Sequence, residues 1–124
     1  MKDPSNPVCR TISTLLSRIG DKWTVLVVQT LGDGSKRFNE LRREIPSVSQ
    51  RMLTLTLRNL ERDGLVSRTV TPSIPPRVDY ALTELGHSLQ KPITGLAQWA
   101  LDNVGAIHDA QAHFDSEHDR AEAA

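Results

Sequence analysis

Arg51, Arg58 and Arg62 lie in a stretch, residues 49–63, whose spacing places them on one side of a helix. With Leu53 as origin, they cluster with Leu55 between about 140° and 200°, and Thr54 lies beside them. Leu57 at about 40° and Leu60 at about −20° fall with Leu53 on the other side. The leucine stripe suits a core, and the opposite face offers guanidinium forks to acceptors. Arginine binds guanine O6 and N7 through two donors, and Gln50 at the N-terminal end can pair with adenine. Leu55 is unusual on a polar face, and contact with a thymine methyl accounts for it. The plain alternative is a solvated arginine face with no ligand, so the neighbouring cations decide the reading.

Arg42 and Arg43, on the preceding helical stretch, reach for phosphates, and Arg37 stands just before them. Arg77 closes a segment, Thr71-Pro72-Ser73-Ile74-Pro75-Pro76-Arg77, whose prolines bar it from a strand ladder and make it a hairpin loop. Phosphate contacts set position and affinity, whereas base contacts set sequence choice. The expected DNA-binding set is therefore Arg37, Arg42, Arg43, Ser49, Gln50, Arg51, Thr54, Leu55, Arg58 and Arg77.

The elements that must hold these residues follow from periodicity and punctuation. Residues 1–8 carry two prolines and read as a flexible lead-in. Ile12, Leu15, Leu16 and Ile19 fall at helical spacing, which gives a helix over residues 9–19 ending at Gly20. Asp21 caps a second helix, residues 22–31, apolar almost all round. Gly32-Asp33-Gly34 is a turn and residues 36–38 are a short strand. Asn39 is expected to cap a third helix that Pro46 stops. Ser49 caps the fourth, and Gly64 closes it. Residues 65–70 and 78–82 alternate as two strands, and a last helix opens at Thr83-Glu84 through Leu89, Ile93, Leu96 and Trp99. Residues 108–124 read as frayed helix or disorder. The order predicts a mainly α fold with a small β-hairpin wing, a winged helix-turn-helix. Residues 9–104 form its domain, with dimerisation helices at both ends, and residues 105–124 a polar acidic tail.

Bulk properties agree. The 124 residues carry zero formal net charge, 38% hydrophobic and 24% charged residues, values ordinary for one globular domain. Charge is segregated: residues 36–77 hold nine basic against four acidic side chains, while five acids against Arg120 follow from residue 105. A basic middle with an acidic end fits a polyanion-binding face. No apolar run approaches the roughly 18 residues of a membrane span, and the N-terminus lacks a signal-peptide core. The expectation is a cytoplasmic protein that does not enter the membrane.

Six segments together resemble HxlR-type regulators, bacterial winged-helix proteins related to the MarR group. They are Gly20-Asp21-Lys22-Trp23, Arg37-Phe38-Asn39-Glu40-Leu41, Ser49-Gln50-Arg51-Met52-Leu53-Thr54, Leu60-Glu61-Arg62-Asp63-Gly64-Leu65-Val66, Pro75-Pro76-Arg77-Val78-Asp79-Tyr80 and Leu82-Thr83-Glu84-Leu85-Gly86. The resemblance spans about residues 8–101. It implies a transcriptional regulator that binds double-stranded DNA as a homodimer on a palindromic operator, with residues 49–63 in the major groove. It also implies dimerisation through the first and last helices, here Ile12, Leu15, Leu16, Leu89, Ile93, Leu96 and Trp99. Many members carry a polar residue where this chain has Leu55, which implies a different base preference.

Cys9 is the single cysteine. It reads either as a small buried hydrophobe or as a sensor thiol near a helix N-terminus beside Arg10. Several HxlR-type proteins have an N-terminal cysteine that responds to quinones, aldehydes or oxidants, often followed by proline, where this chain has Arg10. With one thiol, an electrophile or oxidant is limited to alkylation, a mixed disulfide or an inter-subunit bridge. His108, His113 and His118 are five apart and diverge by about 140°, so no metal site is expected, and no cofactor. Trp23 and Trp99 read as core or dimer anchors, or as the lining of a small-molecule pocket. The chain has no Gly-rich phosphate loop and no H-E-x-x-H, and an enzyme is not expected. The competing readings are a winged helix controlled by a non-covalent ligand and one that binds protein.

Overall fold

In a computed structural model that describes residues 6–123, Asn6 starts the first helix. Its side-chain oxygen accepts from the Val8 N–H at 2.8 Å and the Cys9 N–H at 3.4 Å. Pro7 at the first helical position lacks an N–H that would be unsatisfied there anyway. Helix α1 (Pro7–Ile19) thus begins two residues before the expected start. Of the expected lead-in, residues 1–5 lie outside the described residues.

Helix α2 (Lys22–Leu31) begins at Asp21, whose carboxylate accepts from the Thr24 N–H at 3.1 Å. Strand β1 is Lys36–Arg37 and helix α3 is Phe38–Glu44. The cap of α3 is Arg37 rather than Asn39, because Glu40 reaches back to accept the Arg37 backbone N–H at 3.0 Å. Phe38 and Asn39 are thereby drawn into the helix. Helix α4 (Gln50–Arg62) starts where expected, with the Ser49 hydroxyl accepting from the Met52 N–H at 3.0 Å. Asp63 ends it, and Gly64 follows at φ +76°, a left-handed conformation open to glycine at little cost.

Strands β2 (Val66–Thr71) and β3 (Arg77–Leu82) pair antiparallel, from Val66 opposite Leu82 to Thr71 opposite Arg77. The ladder extends to Arg77, so this residue belongs to a strand and not to the loop. Strand β1 adds to the far side of β3, Lys36 opposite Tyr80 and Arg37 opposite Asp79, in a three-stranded sheet ordered β1-β3-β2.

Helix α5 runs Glu84–Ala123 with Pro92 inside it. The chain divides there into two units, one up to Lys91 and one from Pro92. In the first unit α2 packs on α1, α3, α4 and β3, and α4 packs on β2. Val27, Val28, Leu31, Leu41, Leu53, Leu57 and Leu60 fill the centre, all almost fully buried. The leucines that periodicity assigned to the inner face of α4 are therefore inside, joined by Thr56, whose hydroxyl donates to the Met52 carbonyl at 2.8 Å. The second unit is helical through Ala123, including the stretch read as frayed or disordered. Phe114 and His118 stack along it at 4.4 Å between ring centroids.

Candidate nucleic-acid interface

Helix α4 presents two unlike faces. Leu53 is 0% exposed, while Leu55, two residues on, is 50% exposed and lies among cations. Gln50, Arg51, Thr54, Leu55 and Arg58 line one shallow hollow on the outer side of the helix. Five residues nominated from the sequence are thus brought together. The Thr54 hydroxyl donates to the Gln50 carbonyl at 2.8 Å. Ser49 gives its acceptor capacity to the helix cap, so its first role is to set where α4 starts.

Arg37 and Arg43 of the β1–α3 segment line an open cleft with Ser73, Pro75 and Arg77 of the hairpin. Arg42 is exposed on α3. The electrostatic state of these cations differs from residue to residue. Lys36 pairs with Glu44 at 3.2 Å, and Arg77 donates to Asp79 at 3.0 and 3.3 Å. Arg37, Arg42, Arg43, Arg51, Arg58, Arg62 and Arg68 have no ion pair with a described residue. Such side chains are available to an anion without first releasing an acid. Arg77, by contrast, would have to exchange Asp79 for the ligand.

The sequence reading missed one cation. Arg18, on α1, ion-pairs with Asp63 and donates to the Asn59 carbonyl at 3.2 Å, both at the C-terminal end of α4. Partners 41 and 45 residues apart leave no periodic signal, and only the polarity of Arg18 on an otherwise amphipathic helix hints at a buried role.

The remaining nominated residues are spread between the helices. Cys9 is 5% exposed, with its side chain buried in the single chain. On α1, Leu15 and Leu16 are exposed and Ile12 is half-buried. Leu89 is half-buried in the first unit. In the second unit Leu96 and Trp99 are 55% and 58% exposed, whereas Ile93 is buried at 2% and unavailable as an open contact. Trp23 is half-buried, with the Lys22 ammonium 4.5 Å over its ring. Among the described residues no three His, Cys, Asp or Glu side chains gather as metal ligands, and no helix is long and apolar enough to cross a membrane.

The fold and the outward-facing arginine helix define a winged helix-turn-helix transcriptional regulator. The family model for the HxlR-like helix-turn-helix matches residues 18–108, and the chain belongs to that family. It is 48% identical over 89 residues to an uncharacterized HTH-type transcriptional regulator of Methanothermobacter thermautotrophicus, covering 72% of this chain and 68% of the relative. Among solved structures it is similar to the redox regulator HypR in its reduced form, at a TM-score of 0.73 and 42% identity over 80% of this chain and 98% of HypR. It is also similar to diamide-treated YodB from B. subtilis, at a TM-score of 0.67 and 37% identity over 78% of this chain and 96% of YodB.

Proposed function

We propose that this regulator binds double-stranded DNA as a homodimer and reads a palindromic operator by placing α4 of each subunit in the major groove. The observation that carries the reading is the division of α4, with Leu53, Leu57 and Leu60 buried and Arg51, Leu55 and Arg58 facing out. In this arrangement Arg51 donates to a guanine edge, Gln50 pairs with adenine, and Leu55 covers a thymine methyl, with Arg58 beside them on the same face. Arg37, Arg42, Arg43 and Arg77 take phosphates and set the register.

A second copy of the chain supplies the other half-site. One helix reads only a few base pairs, and two helices about 34 Å apart meet successive turns of the groove. The side chains offered to that copy are, in the first unit, Leu15 and Leu16 of α1 and, in the second unit, Leu96 and Trp99 of α5, each exposed and apolar.

Control by thiol oxidation is the finer part of this reading. Its support is the likeness to the redox regulator HypR and to YodB, which was crystallised after diamide treatment. Cys9 is the single thiol, so its oxidised forms are a mixed disulfide or a bridge to the second subunit, and an electrophile would alkylate it. Cys9 is buried in the single chain, which slows a reagent's approach to its thiol.

Fluorescence anisotropy tests the whole reading, with labelled DNA from upstream of the gene, a scrambled control, two salt concentrations, and diamide present or absent. Tight, salt-dependent preference for the upstream DNA is expected. Loss of binding on oxidation that Cys9→Ser abolishes assigns the sensor, and an unchanged response in Cys9→Ser removes it. Salt-insensitive absence of DNA binding, together with capture of a protein partner, would favour a protein-interaction module instead.

A further inference from the structure

Beside the reading face of α4 runs a second groove, lined by Thr54, Leu57, Arg58 and Glu61 of the helix and by Arg68 and Tyr80 of the sheet. Tyr80 lies between Lys36 on one side and Arg68 on the other in the antiparallel register, so the three side chains form one row across one face. The same face carries Val66 and Leu82, both buried, and is therefore the face turned inward. Arg68 is the exposed end of that row and lines the same groove as Arg58.

The four cations of the sheet are not equivalent. Lys36 is tied to Glu44, and Arg77 is tied to Asp79. Arg68 has no ion pair with a described residue, even though Glu61 lines the same groove. A structural role for Arg68 would show as a bridge to Glu61, and that bridge is absent among the described residues. What is present is two guanidinium groups, one from α4 and one from β2, flanking a groove open to solvent.

We infer that Arg58 and Arg68 form a seat for a DNA backbone phosphate at the edge of the major groove. Arg68 is then the main phosphate contact of the β2–β3 hairpin, ahead of the paired Arg77. This rests on the DNA-binding reading above and adds a residue to it. Two arginines on separate elements fix one phosphate from two directions, which sets how far α4 enters the groove without selecting a base.

The test is the salt dependence of DNA binding by the full chain, wild type against Arg68→Gln, Arg68→Lys and Arg77→Gln. Each neutralised phosphate contributes about 0.9 to the slope of log K against log salt. Arg68→Gln is expected to lower the slope by about one and to weaken operator and scrambled DNA alike, by about eightfold at 0.1 M salt. Arg68→Lys should keep the slope, and Arg77→Gln should change it less than Arg68→Gln does. A wild-type slope in Arg68→Gln overturns the phosphate seat and leaves the regulator reading standing. Absence of salt-dependent binding by the wild type itself overturns both. Matching melting curves for Arg68→Gln and Arg68→Lys would show that the slope reports contact and not unfolding.

Discussion

Arg18 of α1 holds the C-terminal end of α4 by an ion pair with Asp63 and a hydrogen bond to the Asn59 carbonyl. Asp63 is the residue that ends α4, so the helix proposed to read DNA is anchored at its last turn by the helix that carries Cys9. The contact lies in a part-buried site, where a guanidinium is worth more than on an open surface.

Arg18→Ala should destabilise the chain by about 1–3 kcal/mol, the range for losing hydrogen bonds to a charged partner that stays behind. Urea denaturation of Arg18→Ala, Asp63→Ala and the double variant would measure the coupling. Equal additive losses from the two single variants would show that the pair does not act as a unit.

Leu53 and Leu55 differ by two residues and should differ in kind. Leu53→Ala empties a fully buried position and is expected to cost about 2–5 kcal/mol of stability. Leu55→Ala, on the half-exposed outer face, should leave the melting temperature nearly unchanged while altering the preferred operator base. Thermal denaturation and selection from a randomised operator pool check the two halves separately.

Gly86 admits no side chain. A Cβ there would lie 2.0 Å from the Leu65 carbonyl oxygen, a backbone atom that cannot turn aside. Gly86→Ala should therefore cost about 1–3 kcal/mol through forced displacement of α5 from the start of the hairpin. Gly95→Ala makes the control, since nothing lies within 4 Å of its Cβ position, and it should be neutral or stabilising in the helix. Urea midpoints for the two variants decide the matter.

Leu96 and Trp99 test the second subunit. Leu96→Asp with Trp99→Ala should shift sedimentation equilibrium toward the monomer and raise the Kd for a two-half-site operator far more than for a single half-site. A dimer that survives the double substitution would place the interface elsewhere.

How much was legible beforehand follows from the range over which each feature is determined. The helices of the first unit announced themselves because caps and apolar spacing act within a few residues: Asp21, Ser49 and Gly64 mark their ends, and Leu53, Leu57 and Leu60 mark the face that is buried. The same local rule misplaced the start of α3, where Glu40 reaching back to the Arg37 amide outweighed the capping tendency of Asn39. It also ended the wing too early, because pairing of Thr71 with Arg77 depends on two segments meeting.

The residue sequence by itself determined the order of elements, the two faces of α4 and the family. Those are consequences of periodicity and short-range hydrogen bonding, which a linear pattern records. Only the tertiary structure decided which arginines are open to an anion. Arg77 pairs with Asp79 two residues along the same strand once β3 is extended, Arg18 pairs with Asp63 across 45 residues, and the packing of the sheet on α4 gives Arg68 and Arg58 one groove. Charge is written in the sequence, but its neutralisation depends on distance in space, and that is set by the fold.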